Sequence, residues 1–337
     1  MTQSKLFDLN IERVLEHWDA FYAVREIIAN ALDEQKLTGT RDISIFKSGT
    51  SWHIRDYGRG LEYSHFTQNE NKDKLENPNL IGKFGVGLKD ALAVFHRKGY
   101  KVDIFSRHAT ISLVMSTKSS FDIQTLHAKF EEAIDDNMEG TEFVIYNLED
   151  DVMNKAKDMF LCFNEDVKVL ETTPYGEILQ GGGSPKVFIN GVQVSVEENF
   201  LFSYNITNIS TKIKKALNRE RSNVGRAAYS DSVKNILCQS KSETVLYLLA
   251  NEISKISLGK HKDELDWTDV ASHATRQLEA DKNTVFVTAT QVTSMSNQDK
   301  EILQGSGKSI IIIPDKVFDK VSEVVTTINT LTKEYQD

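Results

Sequence analysis

The sequence predicts an α+β protein of two domains, and three observations carry that expectation. The chain has 337 residues, long for a single core and natural for two domains of ~100–200 residues each. Near its start, one helical apolar stripe is followed by a series of alternating, strand-like segments. Its end, TVFVTAT, a polar stretch and SIIIIPD, reads as strand, connection, buried strand and helix, a pattern that favours a parallel pair.

Residues 1 to 10 are polar and unpatterned and read as an arm. From Ile11 to Gln35 the period is helical: Phe21, Val24, Ile28 and Leu32 form one stripe for burial, and Gly39 ends the stretch. On the opposite side Glu26, Asn30 and Asp33 stand at i, i+4 and i+7 and share a face. Such a face is either solvated or one wall of a polar site, with Glu as base and Asn as metal ligand. Arg41 to Lys47 and Ser51 to Arg55 alternate around Ser48-Gly49 as a β-hairpin. Asp56 closes the second strand and opens DYGRG, which is either a plain turn or a fixed carboxylate beside room for a flat ring.

Phe66 to Leu80 is polar and reads as a loop of the lid kind. Ile81 to Leu92, IGKFGVGLKDAL, runs three glycines into a helical pattern, which serves as a plain turn or as a phosphate cradle at a helix N-terminus. Tyr100 to Ser106, Thr110 to Ser116 and Ser120 to Leu126 alternate as strands of the same sheet. The acidic turn Asp135 to Gly140 precedes a last strand, Thr141 to Tyr146. Val152 to Phe163 reads as a connecting helix, which places a boundary near residue 165.

In the second half, Asn190-Gly191 lies between two alternating runs as a hairpin signal. Gly181, Gly182 and Gly183 before it read as a loop. Thr211 to Arg226 concentrates positive charge, with three readings open: a solvated helix face, a nucleic-acid contact, or a phosphate sensor. The last reading singles out Arg219 and Arg221, because a guanidinium can grip phosphate oxygens in a bidentate way.

Forty per cent apolar residues can fill both cores. The net charge of -9 argues against nonspecific polyanion binding as the main role and leaves nucleic acid the less favoured partner. Cys162 and Cys238 lie far apart, form no CxxC pair and read as structural, buried thiols of a reducing interior. No signal peptide is visible and no apolar run approaches the ~18 residues of a bilayer span. A soluble, cytoplasmic protein without membrane contact is expected.

Four motifs now stand in order. ExxxNAxD (Glu26, Asn30, Ala31, Asp33), DxGxG (Asp56, Gly58, Gly60) and GxxGxGLK (Gly82 to Lys89) resemble the boxes of GHKL ATPases, and Gly140-Thr141 opening GTEFVIYN is similar to the family's last box. The resemblance implies a Bergerat fold over residues 1–165, an α/β sandwich with ATP between the helices and one face of a mixed sheet. It implies a transducer-like α/β domain over 166–337. Carried over by position, it implies that Glu26 activates water, Asn30 holds magnesium, and Asp56 reads the adenine amine with Thr141 in support. Gly58, Gly60, Gly82, Gly85 and Gly87 would shape the pocket and lid. Lys83, Phe84, Val86 and Leu88 belong to the same lid motif, and Asp33 and Lys89 match positions whose roles are less defined.

IGKFGVGLK blends the lid motif of heat-shock chaperones of the ninety-kilodalton class with that of MORC ATPases, and the MutL type belongs to the same group. Sensor histidine kinases fit poorly, because His17 stands close before Glu26 in the same helical stretch. The function the resemblance implies is slow, magnesium-dependent hydrolysis of ATP to ADP and phosphate. It would drive a conformational switch or dimeric clamp, with protomers meeting through the N-terminal arm and acting on a client protein or partner subunit. The alternative is a sensor or interaction module that holds ATP without turnover.

Overall fold

Helix α1, Ala20–Thr38, buries Ala23, Val24, Ile27, Ile28 and Ala31 along one stripe, as its period predicts. It starts at Asp19, whose extended backbone caps it, well after Ile11; His17 lies in an exposed turn ahead of it. The computed structural model describes residues 4–9, 16–67, 77, 80–81, 86–117, 123–180, 183–219, 224–253, 255–279 and 283–334. By its contacts the chain divides into two compact units, Met1–Asn164 with Asn190–Val192, and Glu165–Ile189 with Gln193–Asp337.

The first unit is a seven-stranded sheet backed by helices. Its strands are β1 (Lys5–Asp8), β2 (Ser44–Ser48), β3 (Ser51–Arg55), β4 (Val102–Ser106), β5 (Thr110–Thr117), β6 (Gln124–Glu131) and β7 (Thr141–Tyr146), in the order β1-β6-β5-β4-β7-β3-β2. A mixed sheet was expected from the resemblance, but every described pairing in it is antiparallel. Alternation sends Ile54, Ile104, Ile111, Ala128 and Ile145 into the core, where they meet α1, α3 (Val86–Arg97) and α4 (Asp150–Lys157). A short helix α2, Tyr63–Thr67, buries Phe66 against Phe130 of β6.

Two expectations are corrected at the β6 edge. Lys5–Asp8 is a strand paired to β6 rather than part of an arm, because Phe7 packs edge-on against Tyr63 and Phe66 and Leu9 enters the core. Strand β6 starts later than Ser120 and runs on to Glu131, because Ala128 and Phe130 continue the buried face set by Leu126.

The second unit holds β8 (Lys168–Thr173), β9 (Gly176–Gln180), β10 (Lys186–Ile189), β11 (Val192–Val196) and β12 (Ser203–Ile206) in the order β11-β10-β12-β9-β8. Strands β10 and β12 run parallel, while β9 pairs antiparallel with β12 and β8. Helices α5 (Thr211–Arg219), α6 (Arg226–Cys238), α7 (Glu243–Ile253) and α8 (Thr268–Glu279) supply side chains to its core. The expected parallel pair is present as β13 (Thr284–Val287) with β14 (Ser309–Ile312). Only β13 is buried throughout; Ser309 and Ile310 of β14 are exposed because this sheet has just two strands. Cys238 is half-buried, but Cys162 is exposed, against the buried role expected of it.

Glu264 is a buried carboxyl of this unit. It lies on the single turn Asp263–Asp266, fully buried, and one carboxyl oxygen accepts from the Leu201 and Phe202 N–H groups at 2.7 and 3.2 Å and from the Tyr204 hydroxyl at 2.9 Å. Burial pushes its pKa up to about 7 despite these donors. The folded form therefore holds a proton that the unfolded chain releases. That stabilisation is complete below the ordinary glutamate range and is lost as pH rises through about 7. Glu264 is expected to make stability fall by roughly 3 kcal/mol over this window. Denaturant titrations followed across pH should show the slope, and Glu264→Gln should flatten it; an unchanged slope in the variant would overturn the assignment.

Candidate nucleotide site

Helix α1 presents its polar face to three separate segments of the first unit. At its N-terminal half, the Glu26 carboxylate lies against Gly87 in the first turn of α3: a Cβ at residue 87 would stand 2.4 Å from Glu26 Oε2. The buried Arg25 donates to Glu26 Oε1 at 2.6 Å, and its guanidinium lies 5.6 and 5.5 Å from the ring centres of Trp18 and Tyr22. Asn30 follows, half-buried, one turn on. Asp33 is buried and accepts the Ile81 N–H at 2.7 Å, at the entry to the glycine-rich stretch.

One residue further, Glu34 reaches the DYGRG turn. Its Oε1 accepts the Arg59 backbone N–H at 2.8 Å and Arg59 Nε at 3.0 Å, and Oε2 accepts Nη2 at 2.9 Å. Gly58 packs so tightly on this side chain that an added Cβ would lie 2.4 Å from Glu34 Cγ.

Asp56 follows β3 directly and is buried, 6% exposed. Its backbone N–H donates to the Thr141 carbonyl at 3.0 Å, and its Oδ1 accepts the Gly58 N–H at 2.9 Å. Burial pushes its pKa up to about 6; the Gly58 N–H opposes this and the Glu34 charge adds to it. Thr141, buried at the start of β7, accepts the Leu61 N–H at 2.9 Å through its hydroxyl. Gly60, at φ +86, sits against Ser106 and the Gly140 carbonyl.

These contacts bring Glu26, Asp33, Asp56, Gly58, Gly60, Gly87 and Thr141 into one region. Gly82, Lys83, Phe84 and Gly85 lie outside the described residues, as does the Val86 side chain. Leu88 packs against the core, and the Lys89 ammonium lies 5.2 Å from the Phe7 ring centre. In the second unit Arg219 ends α5; its side chain and all of Arg221 lie outside the described residues. Arg226, counted in the same basic run, is committed to Glu197 and to Asp263 at 2.8 Å. Arg25, Glu34 and Arg59 were not singled out in the sequence. For the last two, an acid beside Asp33 and a lone base between two glycines were the available signal.

Two clefts lie elsewhere in the first unit. One of about 420 Å³ touches the site only through Asp33 and Ile81. The other, about 690 Å³, lies between β1 and Glu62, Tyr63 and His108. Neither of these two clefts is lined by Glu26 or Asp56. Among the described residues no cluster of three or more His, Cys, Asp or Glu could hold a metal, and no helix is long and apolar enough to cross a membrane.

Residues 151–243 match the family described as the Mycoplasma pneumoniae MPN635 N-terminal domain. An uncharacterized protein of Mycoplasma pneumoniae (strain ATCC 29342 / M129 / Subtype 1) is 36% identical over 244 residues, 70% of this chain and 98% of that relative. A second uncharacterized protein of the same strain is 35% identical over 100 residues, 29% of this chain and 28% of its own length. Among solved structures, the ATPase region of Saccharomyces cerevisiae topoisomerase II is similar at 10% identity and a TM-score of 0.33, over 51% of this chain and 62% of that one. The same region bound to ICRF-187 (dexrazoxane) gives 11% and 0.31, over 52% and 62%. The chain thus spans under two thirds of either structure, and likeness of this degree carries no assignment.

Proposed function

The chain belongs to the family of the Mycoplasma pneumoniae protein that it matches over 98% of that relative's length, and from this premise we propose that its first unit binds ATP with magnesium and hydrolyses it slowly. The joining of four sequence-distant motifs carries this reading: the polar face of α1 meets the glycine-rich stretch through Glu26 on Gly87 and Asp33 on Ile81, and the DYGRG turn through Glu34 on Gly58, while Asp56 of that turn is joined to Thr141 of β7.

The residues present fit such a ligand. At Gly58 and Gly87 a Cβ would collide with the Glu34 and Glu26 side chains, so glycine is what lets these two backbones close on the polar face. Asn30 would hold magnesium through its amide oxygen. The bound ion would neutralise phosphate charge. Asp56, fixed by the Gly58 N–H, accepts the exocyclic amine of adenine. Glu26 accepts the proton of the attacking water as hydroxide adds to the γ-phosphorus and the bond to ADP breaks. Turnover by such positioning is slow where product release waits on lid opening. The Arg25–Glu26 ion pair favours the non-hydrolysing alternative, since it engages the base.

Nucleobase selectivity tests the reading directly. Asp56→Asn is expected to weaken ATP by ~10–100-fold, as loss of a charged acceptor contributes about 1.5–3 kcal/mol. Calorimetry with ATP and GTP, each with magnesium, measures this. Equal affinity of the native chain for the two nucleotides would overturn the assignment of Asp56.

A further inference from the structure

We propose that Glu34 is a positioning residue for Asp56, fixing the turn that aims this carboxyl and setting the pH range in which it accepts a nucleobase amine. The inference rests on the adenine-nucleotide reading above. Its geometry is a short relay. Glu34 grips Arg59 at three donors, and the Gly58 backbone lies flat on the Glu34 side chain with no room for a Cβ. The N–H of that same Gly58 holds Asp56 Oδ1 at 2.9 Å. A shift of Glu34 therefore moves the donor that orients Asp56.

The second link is charge. Among the described residues the charge that acts on Asp56 is Glu34 from α1, which is paired with Arg59 of the turn that follows Asp56. The β7 neighbour, Thr141, is neutral. With Asp56 already pushed up by burial, the Glu34 carboxylate raises it further, to about 6. Asp56 accepts an amine hydrogen bond more strongly in its ionised form than as the neutral acid. Affinity for an adenine nucleotide should therefore be greatest well above pH 6 and weaken as the pH falls through about 6.

Glu34→Gln separates charge from shape, because the amide oxygen can still accept the Arg59 N–H. Its expected effect is to move the Asp56 midpoint toward acid by about half a pH unit or more. Affinity at pH 8, where Asp56 is ionised in the native chain and in the variant, reads the positioning alone. Arg59→Gln removes a positive charge from Glu34 and should move the midpoint the other way. Two measurements on the full chain apply. One is calorimetry with a nonhydrolysable ATP analogue and magnesium from pH 5 to 8. The other is carbon-13 NMR titration of the Asp56 carboxyl without nucleotide. Opposite shifts in the two variants support the inference, and an unmoved Asp56 midpoint in either folded variant overturns it. A moved midpoint with no nucleotide bound by the native chain at any pH leaves the Glu34–Asp56 coupling standing and overturns the reading of the site as an adenine site.

Discussion

Replacing Glu26 by alanine is expected to leave ATP affinity within a few-fold of native and to cut hydrolysis by ~100-fold or more. The split follows from position. Glu26 lies at the N-terminal half of α1 against Gly87, whereas Asp56 lies behind Gly58 at the other end of the same polar face, so removing the first leaves the second in place. The Arg25 pair adds a control. Arg25 is buried over Trp18 and Tyr22, and Glu26→Ala removes an acceptor from its guanidinium, so some loss of stability must be separated from loss of chemistry. Glu26→Gln keeps an acceptor for Arg25 and should hydrolyse no faster than the alanine variant. Steady-state turnover in a contaminant-free preparation, beside calorimetric affinity, decides the matter. Undiminished hydrolysis in both variants would remove Glu26 from the mechanism, and native protein that binds ATP without any turnover would favour the sensor reading.

What the sequence disclosed, and what it hid, follows the range of the interactions. The α1 stripe, the β2–β3 hairpin and the Asn190-Gly191 turn are written in local periods and turn chemistry, so each was legible. Strand β1 was not: four residues too few to show a period become a strand through pairing with β6 far along the chain. The same holds at the site. Glu26, Asp33 and Asp56 stand out through their motifs, but the link from Glu34 to Arg59 spans α1 and the turn after β3 and leaves no pattern in either. Arg25 was masked in another way. A cation on the buried stripe reads as an interruption until Trp18 and Tyr22 are seen to face it. Lys89 shows the reverse limit, since its motif position says nothing of the Phe7 ring that its ammonium meets.

Gly140→Ala is expected to be the most damaging small substitution in the first unit, lowering stability by about 3 kcal/mol or more and ATP affinity by roughly 100-fold. Two costs combine there. Residue 140 sits at φ +73, in the left-handed region where an alanine is disfavoured by about 1–2 kcal/mol. Its added Cβ would also stand 2.1 Å from the Asp56 carbonyl oxygen and 2.7 Å from Tyr57 Cα, both backbone atoms that no rotamer change can move. Relief requires the chain at Glu139–Thr141 to part from Asp56, which breaks the Asp56 N–H bond to Thr141 and disturbs together the two residues proposed to read the nucleobase. Gly49→Ala supplies the comparison: φ is +59 there and nothing lies within 4 Å, so it carries the backbone cost alone. Denaturant unfolding of both variants, with nucleotide affinity measured where each is fully folded, separates the terms. Equal destabilisation by the two substitutions would show that the close approach of Gly140 to Asp56 is not maintained in solution. A Gly140→Ala protein that is destabilised yet binds ATP at native strength would show that Asp56 and Thr141 do not read the nucleotide.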